Sequence, residues 1–461
     1  MRLRTLLAAL VIAGCATPPA IDASRLPATP AQFKEAGRWT TAAPAEANSR
    51  GQWWKAFADP VLDDLVERAD RGNAGIQVAA ARLAQARAIA GIVDADRAPQ
   101  LGVQASASRV GGIVDGSAGP ARSFGAAGAS LAYELDLFGK LARGSDAARL
   151  DADARAGLLQ STRLLVQAQV AQAYLELRAL DVERSLVLGT VTAYRETLDL
   201  TERRFRAGDV AELDVARARA EVAATESEAL ALDRRRAQLE NALAVLVGDV
   251  ASGFSLPAGQ WQTALPTVPA GIPATVLARR PDVSAAQASM LAAQQRVGVA
   301  EAAWFPDVTL TATGGYASPE LGDLFKWSAR AWGVGALLSL PVLDGGRREA
   351  GVRGATAQLD EAVASYRDQV LAAFRDVEDQ LSALRLLASQ SEAQARAVDA
   401  AARATDLSNA RYQGGFVSQL ELLDARRSEL RNRRQALQVR SAQYQATVGL
   451  VRALGGGWGD A

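Results

Sequence analysis

The sequence predicts an α+β membrane protein built from two internal repeats. Each repeat supplies a β-hairpin to a transmembrane barrel shared between copies, and a long helical hairpin outside the lipid. Three observations carry this prediction. A repeat with an offset of 207 covers most of the 461 residues. Each repeat holds two alternating strands with one apolar face and one small or polar face. Each then runs into a long proline-free stretch broken once by glycine.

The repeat is read by subtraction. Gly208 and Gly415, Phe205 and Tyr412, Val210 and Val417, Leu213 and Leu420, and Arg219 and Arg426 all stand 207 apart. Pro99 and Pro306 keep the same offset, as do Leu177 and Leu384. Between Leu135 and Leu340 it slips to 205, as hairpin loops of unequal length allow. One long-period duplication points to two equivalent units that complete a single structure. The repeats are expected over 51–250 and 274–454, with the Pro/Gly-rich segment 251–273 as linker and 455–461 as a flexible tail.

The chain begins "MRLRTLLAALVIAGC", with Arg2 and Arg4, an apolar run over Leu6–Ala13, then Gly14 and Cys15. That is a signal peptide over 1–14, too short to remain as a spanning helix. An ordinary secretory signal with an incidental cysteine is the alternative to lipidation. Residues 15–50, rich in Pro and Ala, read as an extended tether.

Within each repeat the periods change in one order. A helical stretch comes first, at 61–96 and 274–303. A strand pair follows, in a β-hairpin over 99–135 and another over 306–340. "PQLGVQASAS" alternates Leu101, Val103 and Ala105 against Gln104, Ser106 and Ser108. "PDVTLTATGGY" alternates Val308, Leu310 and Ala312 against Thr309, Thr311 and Thr313. Loops are expected at 111–121 and 317–328 from their Gly, Ser and Pro content. Helical hairpins close the repeats, over 140–247 and 346–454. From Val166 to Phe205 a four-three step runs through Val170, Leu177, Leu180, Val187, Val191, Tyr194 and Leu198, with Arg184 and Thr201 as its polar exceptions. A helix over 140–206 is roughly 100 Å long at 1.5 Å per residue, and the chain reverses at Gly208 and Gly415.

Four strands cannot close a barrel, and open edges are excluded in lipid. Several copies must therefore share one barrel, apolar faces outward and Gln, Ser and Thr inward. Two copies suffice for eight strands; three enclose a wider, water-filled lumen. Trp304, Phe305, Tyr133 and Phe138 fall at strand ends, and Trp327 in a loop, where aromatic girdles sit.

Composition excludes other classes. The formal net charge is +0, which speaks against nucleic-acid binding. There is no histidine, and the only cysteine is Cys15, so Ser/His, Cys/His and common metal-ligand constellations are out of reach. No enzyme activity, cofactor or metal site is expected.

These residues resemble the TolC-like outer-membrane efflux factors, in the NodT-type or OprM-like lipoprotein branch. The resemblance covers about 50–454. Its carriers are "WWKAFADPVLDDLVERA" (53–69), "YELDLFGK" (133–140), "LARRPDV" (277–283), "FPDVTLTA" (305–312), "LSLPVLDGGRR" (338–348) and "RYQGGFVSQLELLDA" (411–425). The "IAGC" ending likewise resembles the bacterial lipobox, which implies acylation of Cys15, and Ala16 after it favours the outer membrane. The resemblance implies a homotrimer with a 12-stranded barrel and a periplasmic α-helical barrel. It also implies a periplasmic adaptor and an inner-membrane RND-type pump as partners, beside outer-membrane lipid. In this family the positions of Leu420 and Asp424 narrow the periplasmic entrance, an acidic position elsewhere in the family matches Glu421, which is taken with them as a gate residue, and Asp214 matches a latch aspartate. The arginine that completes that latch falls at Val417 here, and Arg427 offers a substitute. Leu420 and Asp424 lie four apart and share a helical face. The turns at Gly208, Val210, Gly414, Gly415 and Val417 are expected to meet the adaptor.

Two alternatives remain open at this point: a TolC-like channel of a polypeptide secretion system, and a lipid-anchored coiled-coil scaffold without a pore. The substrate is not legible. Met290 is the only methionine after the initiator, so the chain carries no thioether relay for soft metal ions.

Overall fold

A computed structural model describes residues 21, 23–28, 30–35, 51–114, 117–268 and 279–456. Cys15 and the signal peptide lie outside the described residues. In chain order the elements are α1 (Pro60–Gly72), α2 (Ala74–Ala95), β1 (Gln100–Val114), β2 (Ser117–Leu135), α3 (Lys140–Arg206), α4 (Glu212–Val247), α5 (Pro281–Ala302), β3 (Asp307–Ser318), β4 (Arg330–Ser339), α6 (Arg347–Gln413) and α7 (Gln419–Ala453). The chain divides into two compact units.

The first unit comprises 1–27, 81–157 and 285–369 and holds the sheet, an antiparallel ladder in the order β1-β2-β3-β4. Its register explains the alternation in the sequence. Leu101 lies opposite Leu131, Leu131 opposite Ala312 and Ala312 opposite Val334. Directly paired residues share a face, so one surface collects these side chains together with Val103, Leu310 and Trp332. The other surface takes Gln104, Ser130, Thr311, Thr313 and several glycines. Val103 is 86% exposed and Val334 77%, which leaves the apolar face uncovered in a single chain. A Cβ on Gly128 would lie 2.7 Å from the Gly314 carbonyl, so the small-residue face demands glycine where β2 and β3 approach most closely.

The loop expected at 111–121 is replaced by strand. β1 continues to Val114 and β2 starts at Ser117, with a register shift between Val110 and Gly112. Ladder hydrogen bonds tolerate Gly and Ser here, and the bulge absorbs the irregularity. The second hairpin does open into a connection, with short 3-10 turns at Leu321–Asp323 and Trp327–Ala329.

At the base of the sheet Asp136 accepts from the amides of Leu141 and Ala142 at 3.1 and 2.7 Å, starting α3. Asp344 does the same for Gly346 and Arg348 at 3.0 and 3.2 Å, ahead of α6. The Phe138 and Phe305 rings stack at 4.5 Å beside these caps. Met290, Ala293 and Val297 of α5 pack on Leu359 and Val363 of α6, and Ile21 and Leu26 of the N-terminal segment join them.

The second unit comprises 28–80, 158–284 and 370–461. The helix expected over 61–96 is two helices, because Asn73 interrupts it. Its side chain donates to the Leu246 carbonyl at 2.8 Å and accepts from the Ile76 amide at 3.2 Å, which caps α2. Asp59 caps α1 through the Val61 and Leu62 amides. The same carboxylate accepts from Tyr174 at 2.8 Å and Thr263 at 2.7 Å, tying α3 and the linker to α1. Burial pushes the Tyr174 hydroxyl up to about 12, so it stays a donor at any physiological pH. The four-three step of α3 is its packed seam: Val170, Leu177, Val187, Val191, Tyr194 and Thr201 are buried, and the step reaches solvent only at Phe205. The linker is docked rather than loose over 254–268, with Arg178 donating to the Pro257 carbonyl at 2.9 Å and Trp261 seated 4.8 Å from Tyr444. Residues 33–35, read from the sequence as part of a tether, lie along α6: Phe33 is buried beside Phe374, and the Lys34 amide donates to Glu378 at 2.6 Å.

Candidate functional site

The candidate site is the pair of helix reversals in the second unit and the residues that join them. α3 ends at Arg206, Gly208 just beyond it takes φ +84°, and the Asp209 amide donates back to the Arg204 carbonyl at 2.9 Å. α6 ends at Gln413, Gly415 just beyond it takes φ +78°, and the Phe416 amide donates to the Arg411 carbonyl at 2.8 Å. Both are left-handed glycine caps that satisfy the last carbonyls of a helix, so the duplicated glycines serve one purpose twice. Nothing stands within 4 Å of where either Cβ would be, so backbone conformation selects glycine here, not crowding.

Past the second turn, Leu420, Glu421 and Asp424 are exposed on α7, while Leu422 and Leu423 are buried against the neighbouring helices. The Glu421 carboxylate meets Arg411 at 3.3 Å, and Asp424 meets Arg427 at 3.4 Å. Asp214 is half-buried, 3.9 Å from Arg217 of its own helix. The pairing of Asp214 with Arg427 is not found within the chain. Arg427 instead lays its guanidinium on Glu221 of α4, with Nε 2.9 Å from the carboxylate. The hydrogen bond that Arg427 donates to Glu221, and the charge of that carboxylate, hold the Arg427 pKa above the ordinary arginine value. Val210 and Val417 are half-buried and Gly414 is exposed.

Sequence reasoning missed the most exposed large apolar side chain at this end, Phe416, which is 79% exposed. It also missed the stitching between the repeats. Arg426 donates to Thr197 Oγ1 at 2.6 Å and to the Ala193 carbonyl at 3.2 Å. Arg434 reaches Glu183 at 2.7 Å and Glu228 at 3.1 Å. The Arg204 guanidinium sits 5.0 Å from the Tyr412 ring centroid. A signal was present: Glu221 and Arg427, like Glu228 and Arg434, stand 206 apart, so nearly equivalent positions of the two repeats carry opposite charge. Tyr194, Val222 and Leu423 form the apolar floor beneath these pairs.

Among the described residues no group of three or more His, Cys, Asp or Glu is placed to hold a metal ion.

The family profile described as "Outer membrane efflux protein" matches residues 65–249 and again 272–456. The chain belongs to the outer membrane efflux protein family. Each repeat meets that profile once, which accounts for the duplication. The antibiotic efflux pump outer membrane protein ArpC of Pseudomonas putida is 32% identical over 98% of this chain and 94% of its own length. The cation efflux system protein CusC of Escherichia coli is 30% identical over 98% of this chain and 97% of its own. Among solved structures, the outer-membrane channel OprN superposes with a TM-score of 0.88 at 31% identity, covering 96% of this chain and 99% of that one. This outer membrane efflux protein therefore has the TolC-like fold, and its place is the bacterial outer membrane with an extension into the periplasm. It is an efflux channel component.

Proposed function

We propose that the protein is a passive exit duct: a homotrimer whose twelve strands form one barrel, continued by helical hairpins that receive cargo from a periplasmic adaptor and an inner-membrane pump of the RND type. One observation carries this reading. A single chain presents a four-stranded sheet with two unpaired edges, an uncovered apolar face and a small, polar opposite face. Each feature is a cost in isolation, and three copies in a ring remove the edges, give the apolar face to lipid and enclose water. The partly apolar helix α2, with Val78, Ile89 and Ile92 exposed, finds cover in the same assembly.

In this reading Leu420, Glu421 and Asp424 of three chains ring the periplasmic mouth, with Asp214 beside them. Gly208, Val210, Gly414, Gly415 and Val417 face the adaptor. Cys15 carries the acyl chains, which bury roughly 0.8 kcal/mol per CH₂. The cargo is small molecules, since the relatives named above serve antibiotic and cation efflux. The duct performs no chemistry of its own. Reconstitution into planar bilayers tests this: stepwise conductance together with a detergent-stable trimer is expected. A monomer that leaves the bilayer insulating would overturn it.

A further inference from the structure

The small and polar face of the sheet is almost free of charge until its helical end. Following the register, its positions are Gln100, Gln104, Ser106, Ser130, Thr311 and Thr313, interspersed with glycine and alanine. Glu134 lies opposite Thr309 and Asp307 lies two residues before it, which puts both carboxylates on this same face at the base of the strands. Between them stands Lys140 in the first turn of α3. Its Nζ is 3.1 Å from Glu134 and 3.1 Å from Asp307. All three side chains stay partly open to solvent, between 32% and 48% exposed. Two carboxylates share one ammonium, so the triad leaves one negative charge per chain, beside Asp136, whose carboxylate is held by the Leu141 and Ala142 amides. The adjacent Asp344 is compensated by Arg348 at 2.7 Å.

We infer that Glu134, Lys140 and Asp307 form a charge-selective collar at the inner end of the barrel, which makes the duct favour cationic and zwitterionic solutes over anions. The inference rests on the proposed shared barrel, where the polar face lines the lumen and each triad occurs three times. Charged rings bias permeation by attracting one sign of ion and repelling the other. Lys140 is the tuning element. It holds the two carboxylates apart from solvent cations and halves the field they would otherwise present. Beyond the collar the one other charge that the described register places on this face is Arg122, opposite Val110 and twelve residues along β2 from Glu134, too far to neutralise the collar.

The test is the reversal potential of the reconstituted channel under a salt gradient. A unit charge about 10 Å from a passing ion in a water-like medium changes its local concentration about twofold. Glu134→Gln with Asp307→Asn removes two unit charges per chain and should therefore lower the cation-to-anion permeability ratio by about fourfold or more, and Lys140→Gln, which removes one, should raise it by about twofold or more. Lys140→Arg keeps the charge and should keep the ratio; it also controls for assembly, read as trimer yield. Unchanged ratios in both the doubly neutralised and the Lys140→Gln channels would overturn the collar while leaving the duct intact. A parent protein without conductance would instead overturn the duct.

Discussion

Arg427→Ala is the most informative single perturbation of the helix tips. Arg427 stands three residues from Asp424 and seven from Leu420 on α7, and it holds Glu221 of α4. If the proposed entrance ringed by Leu420 and Asp424 widens by moving the start of α7 away from α4, this contact has to break. Its worth follows from its surroundings. The Arg427 side chain is 45% exposed but that of Glu221 only 18%, so the pair lies between a surface bridge and a buried one. Solvent screening discounts the arginine side, leaving about 1 kcal/mol per copy. In the proposed trimer three copies share one entrance, so the closed state loses about 3 kcal/mol in all, or about a hundredfold in the closed-to-open ratio. Planar-bilayer recordings read this directly as open probability. Arg434→Ala is the control: it breaks bonds to Glu183 and Glu228 one heptad farther from the turn, and should lower Tm comparably while opening the channel less. If Arg427→Ala conducts like the parent, or Arg434→Ala conducts more than it, the latch has been placed wrongly.

Three further outcomes are expected. Leu420→Ala with Asp424→Ala removes an apolar and an acidic side chain from one helical face and should raise ion conductance; an unchanged value would show that these residues do not line the entrance. Gly128→Val forces a side chain into the Gly314 backbone, so the heat-modifiable trimer should be lost from gels while the helical signal in circular dichroism persists; a normal trimer would refute the close approach of β2 and β3. The third concerns pH. Burial lifts the Asp70 carboxyl above its ordinary range against the Gln167 and Arg163 interactions that lower it. Its stabilising contribution is full below the ordinary carboxylate pKa and is lost as pH rises through the higher folded value. Asp70→Asn should therefore raise Tm near neutral pH and change it little at about pH 4; a gap that is equal at both, or larger in acid, would contradict the assignment.

Much of this was legible in the residues alone, because the relevant physics is local. Alternation of Leu101, Val103 and Gln104 sets the faces of a strand wherever the strand is placed. A four-three step from Val166 to Phe205 specifies a packed helix seam. Gly208 and Gly415 announce left-handed caps, and an offset of 207 states that both are the same device. Pairings between distant segments were not legible. Nothing in the neighbourhood of Asn73 distinguishes a capped break from a continuous helix; the Leu246 carbonyl, brought up from α4, decides it. Gly112 reads as loop until the ladder to β2 gives its backbone partners. Arg427 could have answered Asp214, and only the register of α4 against α7 selects Glu221, seven residues farther along the same helix. Periodicity therefore determined the repeats, the elements and the need for other copies. Tertiary structure determined which charge meets which, since a salt bridge depends on a few ångströms of separation that no spacing along the chain encodes.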